Sequence, residues 1–205
     1  MPTVMSLMKR TAQLAATCAM MAAAVGCQEK VELRYSEQLE KVHTVAVLPF
    51  VDAPGNHAKG SGRVVVNEVI TQLYELPEIR IVERSRLAAI IKEKDFQDLV
   101  DPSKASEIGK LTGADMVILG NVPQYDAQQD YGHVAVYVVS GGSTKYTHRV
   151  GLSIRAVLVD TGRVVYSGSG QGSDSEGYTK AAQIAASKVL RKLTLFYEQT
   201  RSPKE

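Results

Sequence analysis

Val150-Gly151-Leu152-Ser153-Ile154-Arg155-Ala156-Val157-Leu158, running on into Val159-Asp160-Thr161-Gly162 and Arg163-Val164-Val165, decides the fold. Val150, Leu152, Ile154, Ala156 and Leu158 alternate with Arg149, Gly151, Ser153 and Arg155. That period of two is a strand with one face in a core and the other polar. Asp160-Thr161-Gly162 is a hairpin turn, so a return strand is expected over Arg163–Gly168. On the other side, residues 132–140 set Val134, Val136 and Val138 on one face, and Gly141-Gly142 gives a turn signal. From Val122 onward the chain therefore reads as an antiparallel meander. A long C-terminal helix follows, with Ala182, Ala185, Val189, Leu193 and Phe196 on its apolar stripe.

Before the meander, strand and helix alternate. Val42–Phe50 is a near-continuous apolar run, the pattern of a strand buried on both faces. Asp52–Gly62 is a loop rich in Gly, Pro and Asn. Val66, Val69, Ile70, Leu73 and Tyr74 recur at helical steps until Pro77. Ile79–Glu83 reads as a short strand. Leu87, Ile90, Ile91 and Lys94 mark a helix with Ser85 as N-cap. Asp101-Pro102 starts another, with Asp as cap and Pro at the first helical position. Ala105, Ile108 and Leu111 are its expected buried stripe and Gly113 its stop. Asp115–Val122 is a central strand. The fold class is α/β: a single sandwich domain over residues 42–198, a mixed sheet packed by helices, ending in the meander and the C-terminal helix. Residues 199–205 form a C-terminal tail.

The first 26 residues differ from the rest. Lys9 and Arg10 are their only charges, and an apolar run from Leu14 to Val25 follows. The run is shorter than the roughly 20 residues a spanning helix needs. A positive start, an apolar middle and small residues at the end describe a signal peptide. Met8 gives a tidier start than Met1 or Met5. Ala24-Val25-Gly26-Cys27 resembles the lipobox of bacterial lipoproteins, with Ala24 where Leu is usual. Cys27 would then be acylated, palmitate included, and Gln28 after it resembles the signal for an outer-membrane destination. Residues 27–41 form the lipidated Cys and a polar tether of about 14 residues, which reaches at most roughly 50 Å at about 3.5 Å per residue.

Composition limits the chemistry. The 205-residue chain carries 24 Lys+Arg and 22 Asp+Glu, and loss of Lys9 and Arg10 with the signal brings the balance to zero. With no basic surplus, nucleic acid is not expected as a partner. Of two cysteines, Cys18 leaves with the signal and Cys27 carries lipid, so no thiol chemistry remains. His43, His57, His133 and His148 lack metal spacing, although His133 and His148 would face each other if the hairpin turned at Gly141-Gly142. Gly168-Ser169-Gly170-Gln171-Gly172 looks like a phosphate loop but lacks its Lys, and reads better as a flexible connection to the last helix. Gly60-Ser61-Gly62 precedes a helix N-terminus, which can hold an anion; ordinary loop flexibility is the plainer reading. No nucleophile elbow is present. Glu83-Arg84 and Lys92-Glu93-Lys94-Asp95 read as solvated faces. No catalytic residue, metal or cofactor is expected.

One resemblance joins these segments. Val45-Ala46-Val47-Leu48-Pro49-Phe50 with Asp52, Val82-Glu83-Arg84-Ser85-Arg86-Leu87, Lys92-Glu93-Lys94, Leu111-Thr112-Gly113-Ala114-Asp115-Met116-Val117-Ile118-Leu119-Gly120 and Val159-Asp160-Thr161-Gly162-Arg163-Val164-Val165 follow in order. The set resembles the CsgG family of outer-membrane lipoproteins, known for curli secretion, over roughly residues 42–190. The resemblance implies scaffold positions rather than catalytic ones, with Arg84 and Glu93 pairing or facing a neighbouring subunit.

Two departures bear on function. Curli-secretion members resemble one another in two amphipathic hairpins per subunit that build a membrane barrel. Here only residues 122–149 offer one, and Gln124-Tyr125-Asp126-Ala127-Gln128-Gln129-Asp130 is too polar for a lipid face. The loop after the first strand, a constriction in the channel, is short here and keeps only Asn56. The resemblance therefore implies a periplasm-facing lipoprotein without its own pore. It would bind outer-membrane lipid through Cys27 and a periplasmic or outer-membrane protein, and support assembly or export of a curli-like surface polymer. Alternatives are an activator of a penicillin-binding protein and an oligomeric secretion channel; a homo-oligomer is compatible with each. The expected contact surfaces are the 53–61 loop, with Asn56 and His57, and the 124–149 hairpin. Tyr125, Tyr131, Tyr137 and Tyr146 there are amphipathic anchors.

Overall fold

The computed structural model describes residues 31, 33–93, 101–131 and 144–201. In chain order they form α1 (Ser36–Leu39), β1 (Thr44–Val47), a 3-10 turn (Asn56–Ala58), α2 (Ser61–Tyr74), β2 (Arg80–Ile81), α3 (Arg84–Glu93), α4 (Pro102–Thr112), β3 (Met116–Tyr131), β4 (Thr144–Leu158), β5 (Val164–Asp174) and α5 (Tyr178–Arg201). One five-stranded sheet runs in the order β2-β1-β3-β4-β5. β1 is parallel to β2 and β3, while β3, β4 and β5 are the antiparallel meander. The mixed α/β sandwich read from the sequence is the observed architecture.

Helices pack on both faces. α2 and α5 cover the larger core, where Val45, Val47, Met116, Ile118, Leu152 and Ile154 meet Val66, Val69, Ala185 and Val189. α3 and α4 cover a smaller one, with Ala46, Leu48, Val117, Leu119 and Val157 against Leu87, Ala105 and Ile108. Alternate residues of β1 and β3 thus enter opposite cores, which is why these strands read as continuous apolar runs. Asp115 joins their starts, its carboxylate accepting from the backbone N–H of His43 and Thr44 at 2.9 and 2.8 Å. β1 is shorter than the apolar run suggested. Pro49 has no N–H to donate, so pairing with β3 continues only through the Leu48 N–H to the Ile118 carbonyl and an isolated bridge at Val51–Asn121.

α4 is capped as expected. The Asp101 side chain accepts from the Ser103 N–H at 2.9 Å, and Gly113 ends the helix at φ 71°. Other expectations are corrected. Leu111 is 41% exposed, and Thr112 is buried in its stead. Thr112 lies seven residues after Ala105, on the same face, and its hydroxyl donates back to the Ile108 carbonyl. Tyr74 is 75% exposed because Leu73 and Leu76 fill the end of the core. Ser85 lies inside α3, which already begins at Arg84. Lys94 lies outside the described residues.

The largest correction concerns Gly168, Gly170 and Gly172. They are not a connection; β5 runs to Asp174, and all three turn toward α5. A Cβ on Gly172 would overlap the Ala181 carbonyl oxygen and lie 2.6 Å from the Ala185 nitrogen. On Gly168 or Gly170 it would press on Val189 at 3.2 or 3.0 Å. The helix backbone lies directly on the strand, with Ala181, Ala182, Ala185 and Ala186 fully buried. The Tyr166 hydroxyl donates to the Val189 carbonyl in the same contact.

The segment expected as tether is docked from Leu33 onward. Leu39 is 0% and Val42 1% exposed. The C-terminal part of α5 holds this segment: the Tyr197 hydroxyl donates to the Leu39 carbonyl at 3.1 Å and Arg201 to those of Glu40 and Val42 at 2.7 and 2.6 Å. Burial pushes the Tyr197 phenol well above its ordinary value. α5 reaches Arg201, three residues into the segment read as a tail.

Candidate partner-binding site on the long hairpin

β3 and β4 are 16 and 15 residues long. Their first shared pairs, Met116↔Leu158 to Asn121↔Ser153, lie between the helix layers. The register then shifts between Asn121 and Gln124, a bulge that bends the ribbon and resets which side chains share a face. Beyond it the pairs run Gln124↔Gly151, Tyr125↔Val150, Asp126↔Arg149, Ala127↔His148 and on to Tyr131↔Thr144. β5 accompanies β4 up to His148↔Asp174.

The ribbon carries a different cluster on each face. Toward the start of α5, Tyr125 stacks on Tyr178 with centroids 4.1 Å apart and planes 9° apart. His148 meets Tyr178 edge-on at 4.6 Å, and its Nδ1 is buried with no hydrogen-bond partner among the described residues. Burial and the neighbouring Tyr178 phenol raise the Tyr125 phenol above its ordinary value. On the other face, Asp126 accepts from Arg149 Nε at 2.8 Å and Gln124 Nε2 at 2.7 Å. Gln124 in turn accepts from Gln171 at 2.9 Å. Partial burial pushes the Asp126 carboxyl up. The hydrogen bonds from Gln124 and Arg149, with the charges of Arg149 and His57, outweigh it and hold the group below its ordinary value.

The loop after β1 sits beside this ribbon. His57 folds over Gly55, where a Cβ would lie 2.8 Å from the imidazole Cε1, and its charge acts on Asp126. The loop is tied down: Asp52 accepts from the N–H of Gly60 at 2.8 Å and of Gly62 at 2.7 Å, and Ser61 Oγ from that of Ala53 at 2.9 Å. The N-terminus of α2 is thus satisfied by the chain's own carboxylate, so neither an anion site nor a slack loop describes it.

Among the expected anchors, the structure places Tyr125 in the aromatic cluster with Tyr178 and His57 near Asp126. Tyr146 lies four pairs nearer the tip than Tyr125, opposite Gln129, and is 49% exposed. Asn56 opens the 3-10 turn, and Tyr131 ends β3 with its backbone paired to Thr144. Cys27, Tyr137, His133 and Gly141-Gly142 lie outside the described residues. His148 is paired with Ala127 and Asp174, so a face-to-face pair of His133 and His148 is not the register adopted. Tyr178, Gln124, Gln171 and the Asp126–Arg149 pair escaped the sequence reading. Asp126 and Arg149 are opposite charges directly across a hairpin, a signal visible only once the register is known.

No group of three or more His, Cys, Asp or Glu side chains gathers as a metal site among the described residues. An open groove of about 720 Å³ lies between α2 and α5, edged by Glu68, Glu75, Lys188 and Arg191.

No curated protein matches the chain. Solved structures similar to it include the PelC dodecamer from Paraburkholderia phytofirmans, at 19% identity over 75% of this chain and 88% of that one, TM-score 0.49. Lipoprotein GNA1162 from Neisseria meningitidis is similar at 15% identity over 64% and 82%, TM-score 0.46. The LpoB C-terminal domain from Salmonella enterica is similar at 18% over 66% and 93%, TM-score 0.40. The family model described as curli production assembly/transport component CsgG matches residues 28–192. That span starts one residue after Cys27 and takes in every strand of the sheet and most of α5, and on it this chain belongs to the CsgG family.

Proposed function

We propose that the protein is a non-enzymatic lipoprotein, anchored by acylated Cys27 to the outer membrane and facing the periplasm. In this reading it supports assembly or export of a curli-like surface polymer through protein contacts. The observation that carries the reading is the β3–β4 ribbon, which runs past the helix layers and holds an aromatic stack on one face and a hydrogen-bonded charge cluster on the other. Tyrosine and arginine are among the residue types enriched where protein interfaces are anchored. The alternation Gln124, Asp126, Gln128 with Tyr125, Ala127, Gln129 offers no apolar lipid-facing band, which argues against a barrel strand.

The test uses the lipidated protein extracted in detergent, with its mass read by light scattering and its particles by electron microscopy. A photocrosslinker at exposed Gln128 identifies what the ribbon touches in cells. The reading expects a separate periplasmic or outer-membrane protein in the crosslink and loss of the surface polymer in cells carrying Cys27→Ala. Closed rings that conduct ions across a bilayer would replace it with the channel. A penicillin-binding protein in the crosslink would replace it with the activator.

A further inference from the structure

We infer that the protein stands on the membrane by its base and holds the β3–β4 ribbon away from it. The base is formed by residues 33–43, the turn from Asp160 to Arg163 and the last turns of α5. The inference rests on the lipoprotein reading of Cys27 and adds the orientation.

The argument is one of chain length. Val31 is already on the body, its N–H donating to Gln199 Oε1 at 3.1 Å near the end of α5. Four residue steps separate Val31 from Cys27, which at about 3.5 Å each span at most about 14 Å. The 50 Å that the polar tether promised is therefore spent: residues 33–42 lie against the core, with Leu39 and Val42 buried. The base is level with the start of β3, because the Asp115 carboxylate binds the N–H groups of His43 and Thr44. From Met116 to Tyr131 the 16 residues of β3 extend the other way for about 50 Å at roughly 3.3 Å per residue. α5 gives the same polarity, starting beside Tyr125 and ending beside Leu39 and Val42. A ribbon inserted upright into the bilayer would carry Val31 far beyond the reach of a chain fixed there at Cys27.

The base has chemistry suited to a headgroup layer. Tyr35 is half-buried, with the guanidinium carbons of Arg34 and Arg163 at 5.7 and 5.9 Å from its ring centroid. A tyrosine flanked by arginines suits the interface of a membrane, where the ring sits among headgroups and the cations meet phosphates.

The experiment uses the full lipidated chain, whose only mature cysteine is the acylated one, so an added thiol is labelled alone. Glu37→Cys marks the base and Gln128→Cys the ribbon, both at exposed positions. Each is labelled with a fluorophore and reconstituted in vesicles of phosphatidylethanolamine and phosphatidylglycerol containing a headgroup nitroxide lipid. The expected result is loss of emission at position 37 and none at position 128. Quenching at 128 as strong as at 37 overturns the inference, as does vesicle-bound protein quenched at neither. Palmitate labelling that Cys27→Ala abolishes is measured first. Its absence would sink the lipoprotein reading and the orientation together, whereas its presence with the wrong quenching pattern sinks the orientation alone.

Discussion

The sheet has a lower half and an upper half that obey different rules. In the lower half, Met116, Val117, Ile118 and Leu119 are each at most 1% exposed, because helices cover both faces. In the upper half, Pro123, Ala127 and Gln128 are exposed, and Gln124, Tyr125 and Asp126 half-buried. The strands are the same; what changes is the cover. Where two helix layers exist, every position of a strand must be apolar. Where only the start of α5 reaches, the strands pay for their length with cross-strand pairs. Stability should therefore concentrate where helices lie on the strands, a cover that on β5 extends as far as Gly172, and recognition where they do not.

The sharpest way to break this contrast is to separate α5 from β5. Gly172→Ala places a methyl against the backbone of Ala181 and Ala185 and should cost about 3 kcal/mol or more, at the upper end for overpacking. Urea unfolding that shows no change would mean the helix does not lie on the strand. Next is Leu39→Ala, which removes a side chain that is 0% exposed. A loss of about 2–5 kcal/mol is expected in the same assay, and one below about 1 kcal/mol would mean that residues 33–42 are not docked.

Away from these helix contacts the expected effects shrink. A double-mutant cycle on Tyr125→Ala and Tyr178→Ala should give a coupling of about 1 kcal/mol from the stack. Zero coupling would remove the aromatic cluster from the account. The Asp126–Arg149 pair is smallest, since its side chains are 42% and 37% exposed for Arg149 and Asp126 respectively, and exposed pairs contribute about 0–1 kcal/mol. Its sign is still testable. The Asp126 carboxyl is held below its ordinary value in the fold, so its contribution is present above about pH 4 and lost as pH falls through the depressed value. Asp126→Asn should flatten that part of the stability profile; an unchanged acid limb would show that the pair adds nothing to stability.

The helix-covered part of the sheet was legible because its rule is periodic. Val150 to Leu158 named their faces without help, and Asp101-Pro102 with Gly113 marked α4 at both ends. Gly168, Gly170 and Gly172 also alternate, but glycine has no side chain to register as a core face, so a strand under a helix looked like a loop. Residues 28–41 carry too few apolar positions to reveal that Leu39 is a core residue. The upper half depends on register, which the Gly141-Gly142 signal set differently from the observed Tyr131↔Thr144 pairing. A changed register alters every cross-strand neighbour, which is why Asp126 and Arg149 do not read as a pair; the stack of Tyr125 on Tyr178 depends instead on where α5 begins against the ribbon.

The clasp between the start and end of the body also has a consequence in time. Val31 and Leu39 are bonded to Gln199 and Tyr197, 168 and 158 positions later. The meander and α5 are neighbours in sequence and can assemble early, whereas this closure has one of the longest loops the chain contains and comes late. Until the last turns of α5 form, the segment from Leu33 to Val42 lacks the side chains of Tyr197 and Arg201 that hold its carbonyls. Formation of the end of α5 then draws that segment in, so one of the last closures to form fixes the first strand's approach to the body.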